Sequence, residues 1–372
     1  MTVSSEARVE RAPFGAMPDG TTVERIVFRG ANGFEAGIIP YGAAVQSLKV
    51  PDRAGRIDDV VLGHDTFDGY LARRQYFGAT VGRYANRIAG ARFAIDGKDV
   101  TLDANNGPNA LHGGPEGFDR KLWRIDSVEE QGEPTVVLSY VSADGECGYP
   151  GRLDVRVIYR LTGPMELSMT YEATTNRPTV VNMTNHTFFN LNGVLSGTNI
   201  LDHRLMIAAD HYLAVDATAI PLPEPPRSVA GTPFDFRTST AIGSRIRDND
   251  EQLRLGRGYD HNFCLVRKEL PGFRPFAAQG IQLYAARLEA PRTGRVLELS
   301  TDQPGLQFYS GNFLDGSTSG KGGRLHRQSD ALCLEPHAWP DTPNRPDFPS
   351  ARLDPGQIYR RTIVYRFTTA ST

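Results

Sequence analysis

The sequence predicts a large all-β domain, a sandwich or a barrel, with few and short helices. Hydrophobic residues recur mostly at every second position, which places them on one face of a strand. In residues 153–161 every odd position is apolar. The 372-residue chain also contains 38 glycines and 25 prolines. Together these make up about a sixth of the chain, against about 12% in average proteins, so turns are frequent.

Runs with the same alternation recur along the chain, and clusters of Gly, Pro, Asn or Asp separate many of them. They lie at residues 23–28, 43–50, 135–141, 166–173, 281–290, 296–300 and 358–367. Candidate helices lie at residues 65–74 and at residues 238–248, where Gly243 interrupts the pattern. Strands do not alternate with helices, which argues against a doubly wound α/β fold.

The chain is interpreted as one folded domain. Residues 1–15 are expected to form a flexible N-terminal tail, and residues 16–372 the domain itself. The proline-rich stretch at residues 221–233 could connect two domains, but similar strand patterning continues on both sides of it. We therefore interpret this stretch as a long loop within one domain.

Charge and cysteine content exclude several classes of protein. The 41 Lys and Arg residues nearly balance 43 Asp and Glu residues, and the net charge of −2 offers no basic field to nucleic acid or a membrane surface. No two of Cys147, Cys264 and Cys333 form a CxxC pair, which argues against a disulfide scaffold or structural zinc. The charged N-terminus does not resemble a signal peptide, and no run of about 18 apolar residues occurs. We expect a soluble, cytoplasmic protein.

Six polar, turn-rich clusters are not explained by strand formation. They lie at residues 82–88, 105–114, 182–191, 259–263, 303–312 and 334–341. Together they supply Asn, Gln, Arg, Asp, His and Glu side chains beside aromatic ones. Such groups suit a sugar, because each hydroxyl both donates and accepts a hydrogen bond while an aromatic ring covers the apolar face. Composition alone does not separate a lectin from an enzyme.

His186 is the first candidate for acid–base chemistry, because imidazole titrates near neutral pH. It lies among Asn182, Asn185 and Asn190, and polar side chains inside a strand are costly unless something hydrogen-bonds to them. The alternative is a structural histidine that hydrogen-bonds to backbone groups inside a β core. The residues around His186 leave these two interpretations about equal.

His112 and Glu335 are further candidates. His112 precedes two glycines, whose missing side chains would let a ligand approach the backbone; otherwise it is a turn histidine without a role. Glu335 ends an apolar run, where burial would raise its pKa and make it a stronger base; the alternative is a glutamate that faces solvent. Asp260 and Arg87, taken singly, are better explained as halves of surface ion pairs.

Metal and nucleotide sites are not expected. His261 and His337 stand beside other candidates, but no HExxH or similarly close ligand pair occurs. Residues 78–90 contain three glycines without the spacing of a phosphate-binding loop.

Six motifs occur together in the order of one family, namely GRYANRI, GPNALHGG, NHTFFNL, YDHNF, QPGLQFYSGN and LEPHAWPD. Through them the sequence resembles the aldose 1-epimerases, also called galactose mutarotases, over residues 23–367. The resemblance implies a single large β-sandwich of the galactose mutarotase-like type, with a sugar cleft on its concave face. It also implies an enzyme that interconverts the α and β anomers of free aldohexoses such as glucose and galactose.

The resemblance assigns roles to individual residues. His186 in NHTFFNL matches the general acid, Glu335 in LEP the general base, and His112 in LHGG a second active-site histidine near the ring oxygen. The positions that match sugar-binding residues are Asn86, Arg87, His112, Phe188, Asp260 and Gln307. The resemblance further implies no metal and no organic cofactor, a small aldose as the partner, and a monomer or homodimer.

Several positions depart from the commoner family pattern. Phe188 and Phe189 follow Thr187 where many members have a tyrosine, which would remove a hydroxyl contact and keep an apolar wall. Cys147, His337 and Trp339 are also less usual near the motifs. These departures leave the preferred aldose open.

Two other functions stay open at this stage. One is an epimerase for a phosphorylated hexose, for which Arg83 and Arg87 are the only obvious basic residues near the motifs. The other is a non-catalytic sugar-binding or sensing module of the same fold.

Overall fold

The computed structural model describes residues 8–130, 133–266 and 283–370. Within these residues the strands form three larger sheets and five two-stranded pairs. Helices are few and short. The prediction of an all-β protein with few short helices is therefore confirmed.

The largest sheet, called the large sheet here, has nine antiparallel strands. In spatial order they are Arg124–Glu129, Thr135–Ser142, Leu153–Gly163, Glu166–Thr175, Tyr359–Thr369, Arg295–Thr301, Leu283–Glu289, Arg204–Ile207 and Thr240–Ala241. The alternation seen in residues 153–161 has its expected cause, since Leu153, Val155 and Val157 are buried while Asp154 and Arg156 are exposed. Residues 281 and 282 of the strand predicted at 281–290 lie outside the described residues.

The N-terminal sheet has five strands, in chain order: Arg8–Ala16, Thr22–Arg29, Glu35–Ile39, Ala44–Pro51 and Ile57–Asp59. The prediction of a flexible tail is wrong over residues 8–15, and residues 1–7 lie outside the described part of the chain. The Arg8–Ala16 strand pairs with Thr22–Arg29 through an antiparallel ladder that shifts register between Pro13 and Gly15. Most of its side chains are exposed, so hydrophobic patterning gave no sign of it.

The third sheet, called the site sheet, has six antiparallel strands and carries four of the eight predicted site residues, namely Phe188, Asp260, Gln307 and Glu335. In spatial order they are Phe188–Phe189, Leu332–His337, Gly305–Tyr309, Asp260–Leu265, Ala209–Tyr212 and Arg227–Ser228. The last strand lies inside the stretch predicted as a long loop at residues 221–233. The two-stranded pairs are Thr80–Val81 with Thr184–Asn185, Arg87–Ile88 with Ala110–Leu111, Arg92–Ile95 with Lys98–Thr101, Thr179–Val180 with Arg352–Leu353, and Asp315–Ser319 with Leu325–Arg327.

One continuous hydrophobic core joins the large sheet to the other two sheets. Its members include Tyr159 of the large sheet, Phe28 of the N-terminal sheet and Phe308 of the site sheet. The rings of Phe189 and Tyr365 meet edge to face at 5.2 Å and tie the site sheet to the large sheet. Full burial of a side chain of this size contributes about 1.5–3 kcal/mol. The site sheet therefore has a rigid backing.

The described residues contain α-helices at Phe67–Ala72 and Glu251–Gly256. The first confirms the helix predicted at residues 65–74. The helix predicted at 238–248 is wrong, because Thr240–Ala241 pairs with the edge of the large sheet and a 3₁₀ turn follows at Ile242–Ser244. Gly243 packs against Leu201, where a Cβ would lie 2.8 Å from a carbonyl oxygen.

The remaining 3₁₀ turns lie at Ala31–Gly33, Ala89–Ala91, Phe118–Arg120, Glu146–Gly148, Lys321–Gly323 and Thr342–Asn344. In the part of the chain that the structure describes, no helix is long and apolar enough to span a membrane.

Candidate active site

A cleft of about 300 Å³ opens over the site sheet and contains every predicted site residue. The predicted residues that line it are Asn86, Arg87, His112, His186, Phe188, Asp260, Gln307 and Glu335. The other lining residues are Arg74, Gln75, Tyr76, Asn106, Leu111, Tyr309, Phe313 and Leu314. Residues from distant parts of the sequence thus meet at one surface.

Strand register places three of the polar groups. Glu335 lies directly opposite Gln307 across the sheet, and Gln307 lies opposite Asn262 on the next strand. Directly paired residues project from the same face of a sheet. The Gln307 amide nitrogen donates to Asp260 Oδ1 at 2.8 Å, which brings the half-buried Asp260 into the same group.

His186 and Glu335 lie side by side in the cleft, with His186 Nε2 3.5 Å from Glu335 Oε2. His186 follows the Thr184–Asn185 strand, and its amide donates to the Ala79 carbonyl. The other ring nitrogen, Nδ1, lies 3.5 Å from the Cys333 sulfur. Oε2 of Glu335 has no hydrogen bond within the described residues. Its lone pairs are therefore available to a ligand.

His112 is held next to this pair. Its ring centroid lies 5.3 Å from that of His186, at a nearly perpendicular angle. The Asn86 amide donates to His112 Nδ1 at 3.2 Å, so in the neutral ring the proton sits on Nε2. His112 has a φ of 51° and Asn86 a φ of 64°, both in the left-handed region that only over-determined sites maintain in residues other than glycine.

Gly113 has a different role from the one suggested by sequence. It lies against the backbone of Gly82, where a Cβ would come within 1.9 Å of the carbonyl oxygen. Its φ of 83° also suits glycine. The glycine therefore allows two loops to pack together beneath the cleft, and close approach of a ligand is not what requires it.

Burial controls the protonation of the three central side chains. It lowers the pKa of His186 to about 4 and the pKa of His112 well below its ordinary value. It raises the pKa of Glu335 well above its ordinary value; the Asp260 carboxylate adds to this increase and the Arg87 guanidinium opposes it. In the sugar-free cleft, burial therefore favours neutral histidines and a protonated glutamate.

Arg87 and Asn86 stand on one side of the cleft. The Arg87 Nε donates to Asn106 Oδ1 at 2.9 Å, and the Arg87 amide donates to Asn86 Oδ1 at 2.8 Å. Arg87 lines the cleft, and the two terminal nitrogens of its guanidinium have no hydrogen-bond partner among the described residues. A guanidinium with free donors suits recognition of hydroxyl oxygens.

Aromatic rings form the apolar walls of the cleft. Phe188 is buried and its ring lies 4.9 Å from that of His186, which agrees with the apolar wall expected at this position. Tyr309 and Phe313 stack at 6.2 Å. Tyr76 stacks on His186. Tyr309 lies within the motif QPGLQFYSGN but was not predicted to be a site residue. Tyr76 and Arg74 were not predicted either, because no motif includes them.

Arg83, one of the two basic residues that the sequence offered for a phosphorylated hexose, does not line the cleft. Its side chain is buried, and its terminal nitrogens donate to the carbonyls of Ser142, Ala143, Pro150 and Gly151. The neighbouring residues Arg83 and Arg87 therefore have different tasks, one structural and one at the cleft.

The other histidines lie outside the cleft lining. His261 is buried; its Nδ1 accepts from the Asp260 amide and its Nε2 lies 3.2 Å from Gln252 Oε1, so it supports Asp260 from behind. His337 is buried with Nδ1 2.6 Å from the Ala338 carbonyl. His64, His203 and His326 are buried, whereas His211 is exposed. Cys147 packs in a small hydrophobic cluster and Trp339 packs on Phe348, both away from the cleft.

His112, His186 and Glu335 are also the one group of three His, Cys, Asp or Glu side chains in the described ranges close enough to hold a metal ion. Their ligand atoms lie within 4.8 Å of one another. The expectation of a site that works without a metal stays a prediction.

Comparison with known proteins now decides the family. The family model of the aldose 1-epimerases, which describes their shared sequence pattern, matches residues 24–366. The chain belongs to the aldose 1-epimerase family. The galactose mutarotase of Bos taurus is 45% identical over 97% of this chain and 99% of the bovine protein. The aldose 1-epimerase of Escherichia coli K12 is 39% identical over 94% and 96% of the two chains.

Solved structures of aldose 1-epimerase relatives have the same fold. The galactose 1-epimerase of Lactobacillus acidophilus NCFM superposes with a TM-score of 0.82 at 26% identity, over 98% of this chain and all of the other. The aldose epimerase homologue of C. elegans gives a TM-score of 0.79 at 31% identity, over 92% and 97% of the chains. This member of the family is thus a carbohydrate isomerase with the galactose mutarotase-like fold.

The different tasks of the two arginines can be tested by stability. We expect Arg83→Ala to lower the free energy of unfolding by on the order of 3 kcal/mol, because several buried carbonyls lose their donor. Arg87→Ala should change it by less than about 1 kcal/mol, because Arg87 is only half-buried. Urea denaturation of both variants and the wild type measures this. Equal losses for the two variants would contradict the assignment of Arg83 as structural.

Proposed function

We propose that this chain interconverts the α and β anomers of free aldohexoses such as glucose and galactose. Glu335 and His186 exchange protons with the sugar, and His112 assists near the ring oxygen. The observation that carries the proposal is the pairing of a buried carboxyl and a buried imidazole 3.5 Å apart in a sugar-sized cleft. The names of the relatives, galactose mutarotase and aldose 1-epimerase, agree with it.

Ring opening begins when the Glu335 carboxylate removes the proton from the O1 hydroxyl. A C1=O double bond forms as the C1–O5 bond breaks, and protonated His186 gives its proton to O5. The product is the open-chain aldehyde, with Glu335 protonated and His186 neutral. Rotation about C1–C2 presents the other face of the carbonyl, and the same transfers in reverse close the ring as the other anomer. No proton is gained or lost overall.

The pair needs one proton in total, and burial determines where that proton rests. In the sugar-free cleft it lies on Glu335, since burial raises the pKa of Glu335 and lowers that of His186. The opening step starts with the proton on His186. We attribute the transfer to sugar hydroxyls that hydrogen-bond to the Glu335 carboxylate, together with the positive charge of Arg87 that already favours its ionised form.

The remaining polar groups hold the part of the sugar that does not react. A hydrogen bond already joins Asp260 and Gln307. The Asp260 carboxylate and the Gln307 side-chain carbonyl are therefore held in place as acceptors for the sugar. Asn86 and Arg87 contribute donors from the other side of the cleft. A fixed frame lets C1 rotate while the rest of the molecule stays in place.

A phosphorylated hexose fits the cleft less well than a free one. Arg74 lines the cleft but is engaged by the Asp119 carboxylate through two bonds of 2.7 Å, and Arg83 lies elsewhere. Arg87 is then the one cleft guanidinium without a carboxylate partner among the described residues. A sensing module that binds sugar without turnover has no need of the buried acid–base pair.

The proposal also includes a cytoplasmic location, a monomeric or homodimeric state, and activity without a cofactor.

The first test is removal of either proton carrier. We expect Glu335→Gln and His186→Asn each to lower kcat for mutarotation of freshly dissolved α-galactose or α-glucose at least about 10²-fold, because positioned proton transfer contributes about 10²–10⁴-fold. Polarimetry follows the reaction, with glucose 6-phosphate as a parallel substrate. Glu129→Gln and His211→Asn are the matched controls, since both residues are exposed.

Near wild-type rates in either cleft variant would remove that residue from the reaction. A faster reaction with glucose 6-phosphate than with glucose would favour the phosphorylated substrate. Calorimetric sugar binding by a wild-type protein without any mutarotation would instead support the sensing module.

The second test is the pH dependence of kcat/KM. Below about pH 4 His186 becomes protonated while Glu335 keeps its proton, so no base remains and activity falls. Above the raised pKa of Glu335 the pair loses its only proton, so no acid remains and activity falls again. We expect a bell-shaped plot of kcat/KM against pH, in which both limbs report the titration of the coupled pair and not of either residue alone. An acid limb near the ordinary histidine pKa of about 6.5, in protein that circular dichroism shows to be folded, would contradict this account.

A further inference from the structure

Tyr76 lines two cavities of similar size, as do its neighbours Arg74 and Gln75. One cavity is the cleft, and the other has about 340 Å³ and is lined by residues that include Tyr41, His64 and Phe77. No predicted motif contains it, and the reaction described above assigns it no task.

The Tyr76 ring contacts both active-site histidines. Its centroid lies 5.5 Å from that of His186, with the ring planes 25° apart, and 4.9 Å from that of His112, with the planes 58° apart. The Arg74 guanidinium carbon lies 4.6 Å from the same centroid. A single aromatic side chain is thus packed against the proton donor, its neighbouring histidine and a cation.

Arg74 is itself fixed. Its Nε and Nη2 donate to the two carboxylate oxygens of the buried Asp119, both at 2.7 Å. Its Nη1 donates to the carbonyls of Gly114 and Pro115. These residues directly follow His112 and Gly113, so the loop that carries His112 and the segment that carries Tyr76 are joined through one guanidinium.

The backbone of Tyr76 is in an unfavourable conformation. Its φ is 58°, in the left-handed region that costs free energy for a bulky side chain. The Tyr76 carbonyl accepts from the Ala79 amide at 3.1 Å, which closes a turn. The amide of Gly78 in that turn donates to the His186 carbonyl at 3.1 Å. The turn therefore holds the His186 backbone while the Tyr76 ring covers the His186 side chain.

We propose that Tyr76, clamped through Arg74 and Asp119, is a positioning residue that sets the ring plane of His186 and keeps water from it. The proposal rests on the proposed function, because it concerns the proton donor of that reaction. All of these contacts are made by the ring, so a phenylalanine satisfies them.

Other groups near His186 also act on its protonation. Those that face it or its partner His112 are Glu335, Cys333, His337 and Tyr309 around His186, and Arg74 and Arg87 around His112. The charges of Arg74 and Arg87 disfavour a second positive charge at His112. Loss of the Tyr76 ring leaves these charges in place and changes access of water.

The experiment compares Tyr76→Ala and Tyr76→Phe with the wild type by galactose mutarotation and by NMR titration of the His186 ring. The His186→Asn spectrum identifies the resonance. In Tyr76→Ala we expect kcat to fall about 10²-fold with little change in KM, because the donor is misplaced while the sugar contacts remain. The pKa of His186 should rise from about 4 toward about 6.5 as water enters. Tyr76→Phe should keep both values near those of the wild type.

Tyr41→Ala is the matched control, since Tyr41 lines the neighbouring cavity but not the cleft. It should lower the melting temperature without moving kcat or the His186 titration. If Tyr76→Ala does not fold, Tyr76→Leu keeps apolar volume without the ring, so it should lower kcat similarly while raising the His186 pKa by less. An unchanged His186 pKa in a folded variant without the ring, or failure of Tyr76→Phe to restore kcat, would overturn the proposal. The NMR titration does not depend on turnover, so an inactive wild type would instead count against the proposed function.

Discussion

The site depends on one electrostatic constraint: a carboxyl and an imidazole are buried side by side where neither is stable as an isolated ion. His186 Nε2 and Glu335 Oε2 lie 3.5 Å apart, and both side chains are almost fully buried. An isolated charge in such surroundings is costly, so the two groups share one proton and remain neutral when no sugar is bound. Because either group can hold that proton, the pair can serve as acid and base in both directions of a reversible reaction.

The fold keeps this pair in place through strand register. Glu335 and Gln307 face the cleft because of their pairing, and a slip of one residue would turn both toward the core. The contact of Phe189 with Tyr365 ties the site sheet to the large sheet, so the register is backed by the main core. His186 comes from a separate strand pair, and the Gly78 and Ala79 turn fixes its backbone. Different parts of the sequence thus supply the two members of the proposed acid–base pair.

Sequence identified the central residues because their chemistry lies within compact motifs. Period-two patterning identified most long strands of the large sheet, since each has one buried face. It missed the Arg8–Ala16 strand, in which most side chains are exposed although Val9 joins the main core. The sequence also did not show that Arg83 is buried while Arg87 lines the cleft. Burial of the Arg83 guanidinium depends on Pro150 and Ser142, which lie far away in the chain. Tyr76 was missed because its contacts with His112 and His186 exist only in three dimensions.

The central claim is that the sugar-free pair holds its proton on Glu335. The most direct measurement is the infrared difference spectrum between the wild type and Glu335→Gln without sugar at about pH 6, where an ordinary glutamate of pKa about 4.3 is almost fully ionised. The account predicts a protonated carboxyl band in the wild type that disappears as the pH is raised further. An ionised Glu335 at about pH 6, beside a neutral His186, would contradict it, because the pair would then hold no proton to transfer.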